Sequence, residues 1–296
     1  MALSIRIPFL ADLKLVRDMA DVKALSANPD LDRRFEKRGP LANRLLLGSV
    51  KGALNVDGKP LPSVAPRTDA ERGKNQVALR ERLDPAVGPL WDEETLARLI
   101  AAVRGETGVD TIGPAAQQAV GRVFVKTYVG NAESWHAARD LDDAVHSKNP
   151  IRRLLLIFTG QLRRSRRLLA DRVNGNLAGV HGTGIAVHNM VHGFQTMRNL
   201  LRAPGARPSA EEAIKRCLVA PPSVLRQANA PGHTVAGDVR PGTIMVYQLE
   251  KIRPKNPDAV FMTGTWAECP ALLFVPALYA AVWNGACAPE KTEKRT

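Results

Sequence analysis

The chain has 296 residues, 45% of them hydrophobic, which is enough to bury a sizeable core in one large domain or two small ones. Its net charge of +13 favours anionic partners such as nucleic acid, anionic lipid or an acidic protein. Only three cysteines occur, Cys217, Cys269 and Cys287, which argues against a disulfide framework and fits a reducing compartment.

The sequence contains no evident signal peptide or membrane span. The first residues, MALSIRIPFLADLK, lack the apolar core of a signal peptide. The longest apolar run, from Cys269 to Trp283, is interrupted by two prolines and is too short to cross a bilayer. We therefore expect a soluble, cytoplasmic protein.

Alanine, leucine and arginine dominate the composition and favour helices, so the sequence predicts one mostly α domain over residues 1–296 with small β elements. In the first half, the patterns predict an edge strand at 3–10, a helix at 12–25, loops at 37–75, and helices at 75–84, 92–104 and 113–129.

The second half begins with an amphipathic helix predicted at 150–173, with Leu155, Ile157 and Phe158 among the residues that face inward and arginines that face outward. The remaining predictions are a longer helix at 176–202, a helix at 210–219 capped by Ser209, strands and turns at 223–250, a loop at 260–264, a helix at 270–283 and a disordered tail at 289–296.

Four motifs follow one another between residues 178 and 280. They are AGVHGT at 178–183, EAIKRCLVAPP at 212–222, VLRQA at 224–228 with GDVRPGT at 237–243, and FMTG at 261–264 leading to Cys269-Pro270-Ala271. In this order they resemble parts of the cytochromes P450: the oxygen-binding groove of the long central helix, the helix that ends in Pro-Pro, the β segment after it, and the haem-binding loop. Upstream, 18–34 resembles an early helical region of bacterial members, and 76–85 resembles the helix that meets the haem propionates.

The chain departs from the family pattern at several positions. Lys215 and Leu218 stand where the Glu-x-x-Arg pair is usual, and His181 and Gly182 replace the acid and the first threonine of the groove. The haem loop has one residue too many before Cys269, and the chain is much shorter than a typical member.

The resemblance implies a shortened P450-like haem-thiolate fold that binds haem b (iron protoporphyrin IX) through Cys269. The residue is followed by Pro270 and an apolar helical run, which would place its sulfur near the positive end of a helix; the alternative is an inert buried cysteine. The resemblance also implies that Arg80 and Arg226 bind the propionates, and that Gly264 and Trp266 belong to the haem loop.

On the distal helix, the resemblance implies His181, Thr183 and Asn189 as catalytic residues. His188 and His192 share a helix face, but the sequence HNMVH lacks the glutamate of the zinc-protease motif, so we expect packed or hydrogen-bonded histidines there.

The implied activity is oxidation of an apolar or lipid-like substrate, either as a monooxygenase or with a peroxide or lipid hydroperoxide and no reductase. A redox partner, if one is used, would be an acidic protein that fits the basic surface. One alternative is a degenerate P450-like binding or partner subunit, which the missing Glu-x-x-Arg pair favours. A weaker alternative is a basic helical nucleic-acid binder, which would lack interleaved aromatic residues and a recognisable module.

Overall fold

The computed structural model describes residues 2–88, 90–147 and 149–289, so nearly all of the predicted tail lies outside the described residues. Helices dominate these ranges, as the composition predicts. The α-helices are α1 (Met19–Ala27), α2 (Leu41–Ala53), α3 (Ala70–Arg82), α4 (Glu93–Arg104), α5 (Ile112–Phe124), α6 (Ala132–His146), α7 (Pro150–Phe158), α8 (Gln161–Arg172), α9 (Leu177–His181), α10 (Val187–Arg202), α11 (Ala210–Cys217), α12 (Leu249–Ile252) and α13 (Phe274–Cys287).

The strands form one five-stranded sheet and two short hairpins. They are β1 (Leu3–Ile7), β2 (Ala11–Val16), β3 (Leu31–Asp32), β4 (Asn55–Val56), β5 (Lys59–Pro60), β6 (Val224–Ala228), β7 (Gly232–Thr234), β8 (Gly237–Val239) and β9 (Ile244–Tyr247). The order of the main sheet is β1-β2-β9-β6-β3, with β2 and β9 parallel and the other pairs antiparallel. The sheet therefore joins the first 32 residues of the chain to the segment around residues 224–247.

The core consists of three apolar clusters. The largest joins α4, α5, α10, α11 and α13. A second joins α2, α6 and α8 to the start of the α9 region, and the third lies under the sheet against α1 and α12. No helix in the described part of the chain is long and apolar enough to cross a membrane.

Several predicted elements are present. The predicted edge strand is β1, the helix predicted at 176–202 is the run from α9 to α10, and Ser209 caps α11 by accepting a hydrogen bond from the Glu212 backbone at 3.2 Å. The mostly α fold class with small β elements is confirmed.

Three predictions are wrong. The segment predicted as loops at 37–75 contains helix α2 and the start of α3, because Leu47, Val50 and Ala53 of α2 are buried at helical spacing. The segment predicted as a helix at 12–25 begins as strand β2, because Leu13 and Leu15 pair with Ile244 and Val246 of β9. The helix predicted at 150–173 is two helices, α7 and α8, separated at Gly160, whose φ of +68° ends the first.

The interior side of α7 was also mispredicted, whereas Leu162 and Leu169 of α8 are buried, as predicted. Leu155, Ile157 and Phe158 are exposed, whereas Leu156 is buried. The tertiary neighbours of α7 thus cover a different face from the one that the amphipathic pattern suggests.

Candidate functional site

Cys269 lies at the end of a tight loop that precedes α13. Its backbone N–H donates to the carbonyl oxygen of Phe261 at 2.8 Å, which closes the loop on itself. Met262 and Gly264 adopt positive φ angles of 52° and 77°, and the Gly264 N–H donates to the Glu268 carboxylate at 2.7 Å. The segment 261–269, which contains the FMTG motif and ends at Cys269, is therefore a loop closed by its own hydrogen bonds.

The sulfur of Cys269 is near both a backbone donor and a cation. Burial raises the pKa of the Cys269 thiol, while the Ala271 N–H and the Arg80 guanidinium lower it and the Glu268 carboxylate raises it. Arg80 is paired with Glu268 at 2.5 Å, so this guanidinium is held beside the loop. A backbone N–H and a nearby cation are groups that stabilise a thiolate, but burial outweighs them here and the pKa of the Cys269 thiol is raised overall.

The other two cysteines have different surroundings. Cys217 is buried in α11, where burial raises the pKa of its thiol to about 12, and Cys287 is half-buried at the end of α13. In the described part of the chain, Cys217 ends α11 and Cys287 ends α13, and no helix begins directly after either. The sequence-based preference for Cys269 is consistent with this placement.

Four arginines surround the indole ring of Trp266. The guanidinium carbons of Arg72, Arg33, Arg226 and Arg67 lie 4.3, 4.9, 5.1 and 6.0 Å from the ring centroid. We call these four residues the arginine cluster. Such stacking on an indole face is attractive for a cation, but four like charges around one ring repel each other.

The elements that assemble the arginine cluster are far apart in sequence. Arg226 lies on β6, an inner strand of the main sheet, and Arg33 directly follows β3, which pairs with β6. Arg72 is on α3, and Trp266 belongs to the loop that leads to Cys269. The same sheet and loop therefore position both the cluster and the candidate thiolate.

Several buried donors of the arginine cluster have no hydrogen-bond partner among the described residues. These are Nε of Arg33 and Arg72, Nε and Nη2 of Arg226, and Nε1 of Trp266. A buried donor without a partner is costly, and a buried guanidinium more so. The unpaired groups therefore indicate a site for an anion.

Two carboxylates act on the arginine cluster: burial lowers the pKa of Arg72, while Asp32 and Asp69 both raise it. Asp32 makes the closer backbone contacts, since it accepts the backbone N–H of Arg33 and of Arg67, each at 2.7 Å. Burial, followed by the charge of Arg226, lowers the pKa of Arg33 well below its usual value; burial lowers the pKa of Arg226 to about 10. Because arginine side chains stay protonated in proteins, four guanidinium groups face two carboxylates and positive charge is in excess.

The long helix carries a π-helical turn at Gly182–Ala186, directly after His181. Such turns occur frequently at functional sites. Nδ1 of His181 is buried without a hydrogen-bond partner in the described part of the chain. Burial, and then the charge of Arg33, lowers the pKa of His181 to about 4, so its imidazole is neutral at pH 7 and lies within electrostatic reach of the arginine cluster.

The remaining sequence-predicted catalytic residues are placed differently. The hydroxyl of Thr183 donates to the carbonyl of Gly179 at 2.8 Å, and the carbonyl of Thr183 accepts from Gln117 at 3.0 Å. Asn189 lies on α10 and is half-buried. Thr183 is therefore held within its own helix rather than aimed at a neighbouring group.

His188 is a packed histidine, as the sequence suggests. Its ring lies 4.7 Å from the Trp135 ring, and Nε2 is 3.1 Å from the Ala138 carbonyl oxygen. His192 is exposed one turn further on. These contacts account for His188 without a metal.

Hydrogen bonds from Arg253 hold the end of α11, where Lys215 and Leu218 replace the usual Glu-x-x-Arg pair. Nη2 of Arg253 donates to the carbonyl oxygens of Lys215 and Arg216 at 3.2 and 3.0 Å. The end of α11 is thus anchored to the chain after α12 through backbone carbonyls.

The neutral imidazole of His181 has a measurable consequence for stability. Its pKa of about 4 in the folded protein lies below the usual value of 6.5, so the unfolded chain binds the proton more readily. The stability that depends on neutral His181 is present above pH 6.5 and is lost as the pH falls to 4. We expect the wild type to lose about 3 kcal/mol more than His181→Gln between pH 7 and pH 4, as measured by denaturant unfolding. An equal loss in both proteins would contradict the buried, neutral state of His181.

No protein-family profile matches the chain, and no curated protein sequence matches it. Solved structures do match it. It is similar to cytochrome P450-153 from Novosphingobium aromaticivorans, with a TM-score of 0.60 and 11% identity over 95% of this chain and 84% of that one. The protein has the cytochrome P450 fold. The predicted P450 resemblance is thereby confirmed at the level of the fold, in a short chain.

Two further P450 structures give the same result. CYP164A2 of Mycobacterium smegmatis with econazole bound has a TM-score of 0.58 at 16% identity, covering 96% of this chain and 85% of that one. A variant of cytochrome P450 OleT in complex with arachidonic acid has a TM-score of 0.58 at 9% identity, covering 95% and 81%. Identities this low establish the P450 fold and nothing finer.

Within this P450 fold, the sequence-predicted residues fall into two groups. Arg226 and Trp266 meet in the arginine cluster, while Arg80 and Gly264 both bind Glu268 beside Cys269. Sequence reasoning missed the other three members of the cluster. Arg33, Arg67 and Arg72 carry no motif of their own, and the chain has 42 basic residues from which to choose.

Proposed function

We propose that this P450-fold protein binds haem b through the thiolate of Cys269 and uses a preformed O–O bond, from a peroxide or a lipid hydroperoxide, to oxidise or rearrange an apolar substrate. The observation that carries the proposal is the arginine cluster with its buried, unpaired donors, built around a tryptophan on the Cys269 loop. Cys269 is suited to bind the haem iron, and the arginine cluster is suited to bind the haem carboxylates.

The donor set fits the two propionates of haem b. Carboxylates bind guanidinium groups with charge-assisted, often bidentate hydrogen bonds. Arg226 has two free donor atoms, and Arg33, Arg72 and Trp266 each have one, within the described residues. The two propionates would also offset the excess positive charge that Asp32 and Asp69 leave.

The thiolate of Cys269 would hold the haem iron. When bound, a haem-thiolate supplies an electron-rich iron that favours cleavage of an O–O bond. The Ala271 N–H and the Arg80 guanidinium favour the charged form of the sulfur, and the Arg80–Glu268 pair keeps that guanidinium beside the loop.

His181 is the residue that we assign to the distal side, with Thr183 and Asn189 in supporting positions. Its neutral imidazole and its unpaired Nδ1 can accept a proton from a peroxide or hold one in a hydrogen bond. The Thr183 hydroxyl already donates to Gly179, so it is poorly placed to deliver protons to bound dioxygen. A peroxide avoids that requirement, because it brings both the oxygen atom and the two oxidising equivalents: a C–H bond and hydrogen peroxide become an alcohol and water.

The substrate class is supported by two P450s of the same fold. A myxobacterial CYP267B1 structure contains myristic acid, and the OleT structure contains arachidonic acid. Both ligands are long apolar chains. We extend this to an apolar, lipid-like substrate for the present protein.

The test is spectroscopic and catalytic. We expect protein reconstituted with haem to show the strongly red-shifted Soret band of a CO-bound ferrous haem-thiolate, and to oxidise fatty acids with hydrogen peroxide alone. Turnover that requires a reductase and dioxygen would overturn the peroxide part and would support an acidic redox partner. A protein that takes up no haem would favour the degenerate binding subunit instead.

A further inference from the structure

Helix α7 presents a row of large apolar side chains to solvent. Ile151, Leu155 and Phe158 are 67%, 57% and 82% exposed, and their spacing of four and three residues places them on one face of the helix. Leu156 is only 7% exposed and anchors the opposite side to the core. We call the three exposed residues the α7 stripe. Helices of monomeric proteins normally bury such a face.

The chain around the α7 stripe is strongly basic. Residues 149–170 contain six arginines and no acidic residue. Helix α8 follows directly after Gly160 and exposes Arg163, Arg164 and Arg167. Four residues lie between Phe158 and Arg163, so their backbones lie within roughly 18 Å of each other. Helices α7 and α8 also pack against each other, so the α7 stripe and the exposed arginines lie on neighbouring helices.

A basic groove lies beside α8 and is lined by two of these exposed arginines, Arg163 and Arg167. The groove has a volume of about 790 Å³ and is lined by residues of α2, the β4–β5 turn and α8. Its charged lining comprises Glu36, Lys37, Lys51, Asp57, Arg163, Arg166 and Arg167. Cations outnumber anions in this lining, and Glu36 is already paired with Arg38.

We propose that the α7 stripe and the exposed arginines of α8 dock the protein on an anionic phospholipid surface. An amphipathic helix with apolar residues on one face and arginines beside them is typical of helices that lie in the interface of a bilayer. The stripe enters the boundary between headgroups and acyl chains, and the arginines bind the lipid phosphates.

The charge pattern disfavours the main alternative, a second copy of the chain. A symmetric pair of α7–α8 surfaces would bring like charges together, because residues 149–170 contain no carboxylate to pair with the arginines. A bilayer supplies both an apolar layer for the stripe and negative charge for α8.

The experiment is vesicle flotation with the full chain, with and without haem. We expect binding to phosphatidylcholine vesicles that contain phosphatidylglycerol, little binding to phosphatidylcholine alone, and release at high salt. Phe158→Glu, and separately Arg163→Gln combined with Arg167→Gln, should each weaken binding roughly tenfold or more. Val235→Glu is the matched control, because Val235 is 57% exposed on the β7–β8 turn and lies outside this surface.

Three outcomes would overturn the proposal: no binding to anionic vesicles, equal binding to neutral vesicles, or an equal loss in Val235→Glu. Dimerisation of the wild type in light scattering that Phe158→Glu abolishes, without vesicle binding, would assign the stripe to a second copy instead. If a variant fails to fold, the salt and lipid dependence of the wild type decides the question. Vesicle binding needs no haem, so the result is independent of the proposed function.

Discussion

Replacing Cys269 by alanine should abolish the red-shifted Soret band of the CO-bound ferrous protein and weaken haem binding by about 100-fold or more. The reason is that the thiolate is the proposed axial ligand, and loss even of a group that only orients a ligand typically costs 10- to 100-fold in affinity. The measurement is a haem titration of wild-type and variant apoprotein, followed by the CO spectrum.

The control for this substitution is Cys287→Ala. Cys287 is half-buried at the end of α13, at the opposite end of that helix from the Cys269 loop. It should retain the red-shifted band. Cys269→Ala should also leave the stability of the apoprotein within about 1 kcal/mol of the wild type, because an unligated cysteine behaves as a small hydrophobic residue. An unchanged spectrum in Cys269→Ala would refute the ligand assignment.

Replacing Arg226 by methionine should change stability and haem binding in opposite directions. Arg226 is 1% exposed, and two of its nitrogen atoms are buried without a partner in the described part of the chain. Exchanging a poorly compensated buried charge for an apolar side chain of similar length is often stabilising by about 1–4 kcal/mol. We therefore expect the apoprotein to be more stable and its affinity for haem to be at least roughly tenfold weaker, since a propionate partner is lost.

A second buried arginine provides the control for this prediction. Arg198 is also buried, but its Nη1 donates to the carbonyl oxygens of Ala102 and Thr107 at 2.7 and 3.1 Å. Arg198→Met should destabilise the apoprotein, because it leaves two carbonyl oxygens without their donor. Thermal unfolding of both variants decides the issue. A loss of apoprotein stability in Arg226→Met would mean that the arginine cluster is structural rather than a binding site.

The Cys269-loop and central-helix motifs were recognisable from sequence because their positions depend on local rules. The π-helical turn follows His181 inside the helix predicted at 176–202, and Ser209 caps its helix through a contact three residues away. The Cys269 loop closes through a hydrogen bond to Phe261, eight residues earlier. Short-range hydrogen bonding of this kind is largely determined by residue type and spacing.

Strand β2 shows why another prediction failed. Leu13 and Leu15 alternate as in a strand, but the apolar residues that follow also fit a helical period. Pairing with Ile244 and Val246, about 230 residues away in the chain, selects the strand. Propensity is overridden when a distant partner supplies the hydrogen bonds.

The sequence by itself determined the order of motifs and the mostly helical class, and it is the source of the proposal that Cys269 is the ligand. Only the tertiary structure brought Arg33, Arg67 and Arg72 together with Arg226 around Trp266, because the sheet and the loop join segments that have no local signal in common. It also decided that the apolar face of α7 points to solvent. The pattern of a helix shows that it has an apolar face, but the packing of its neighbours determines whether that face is covered.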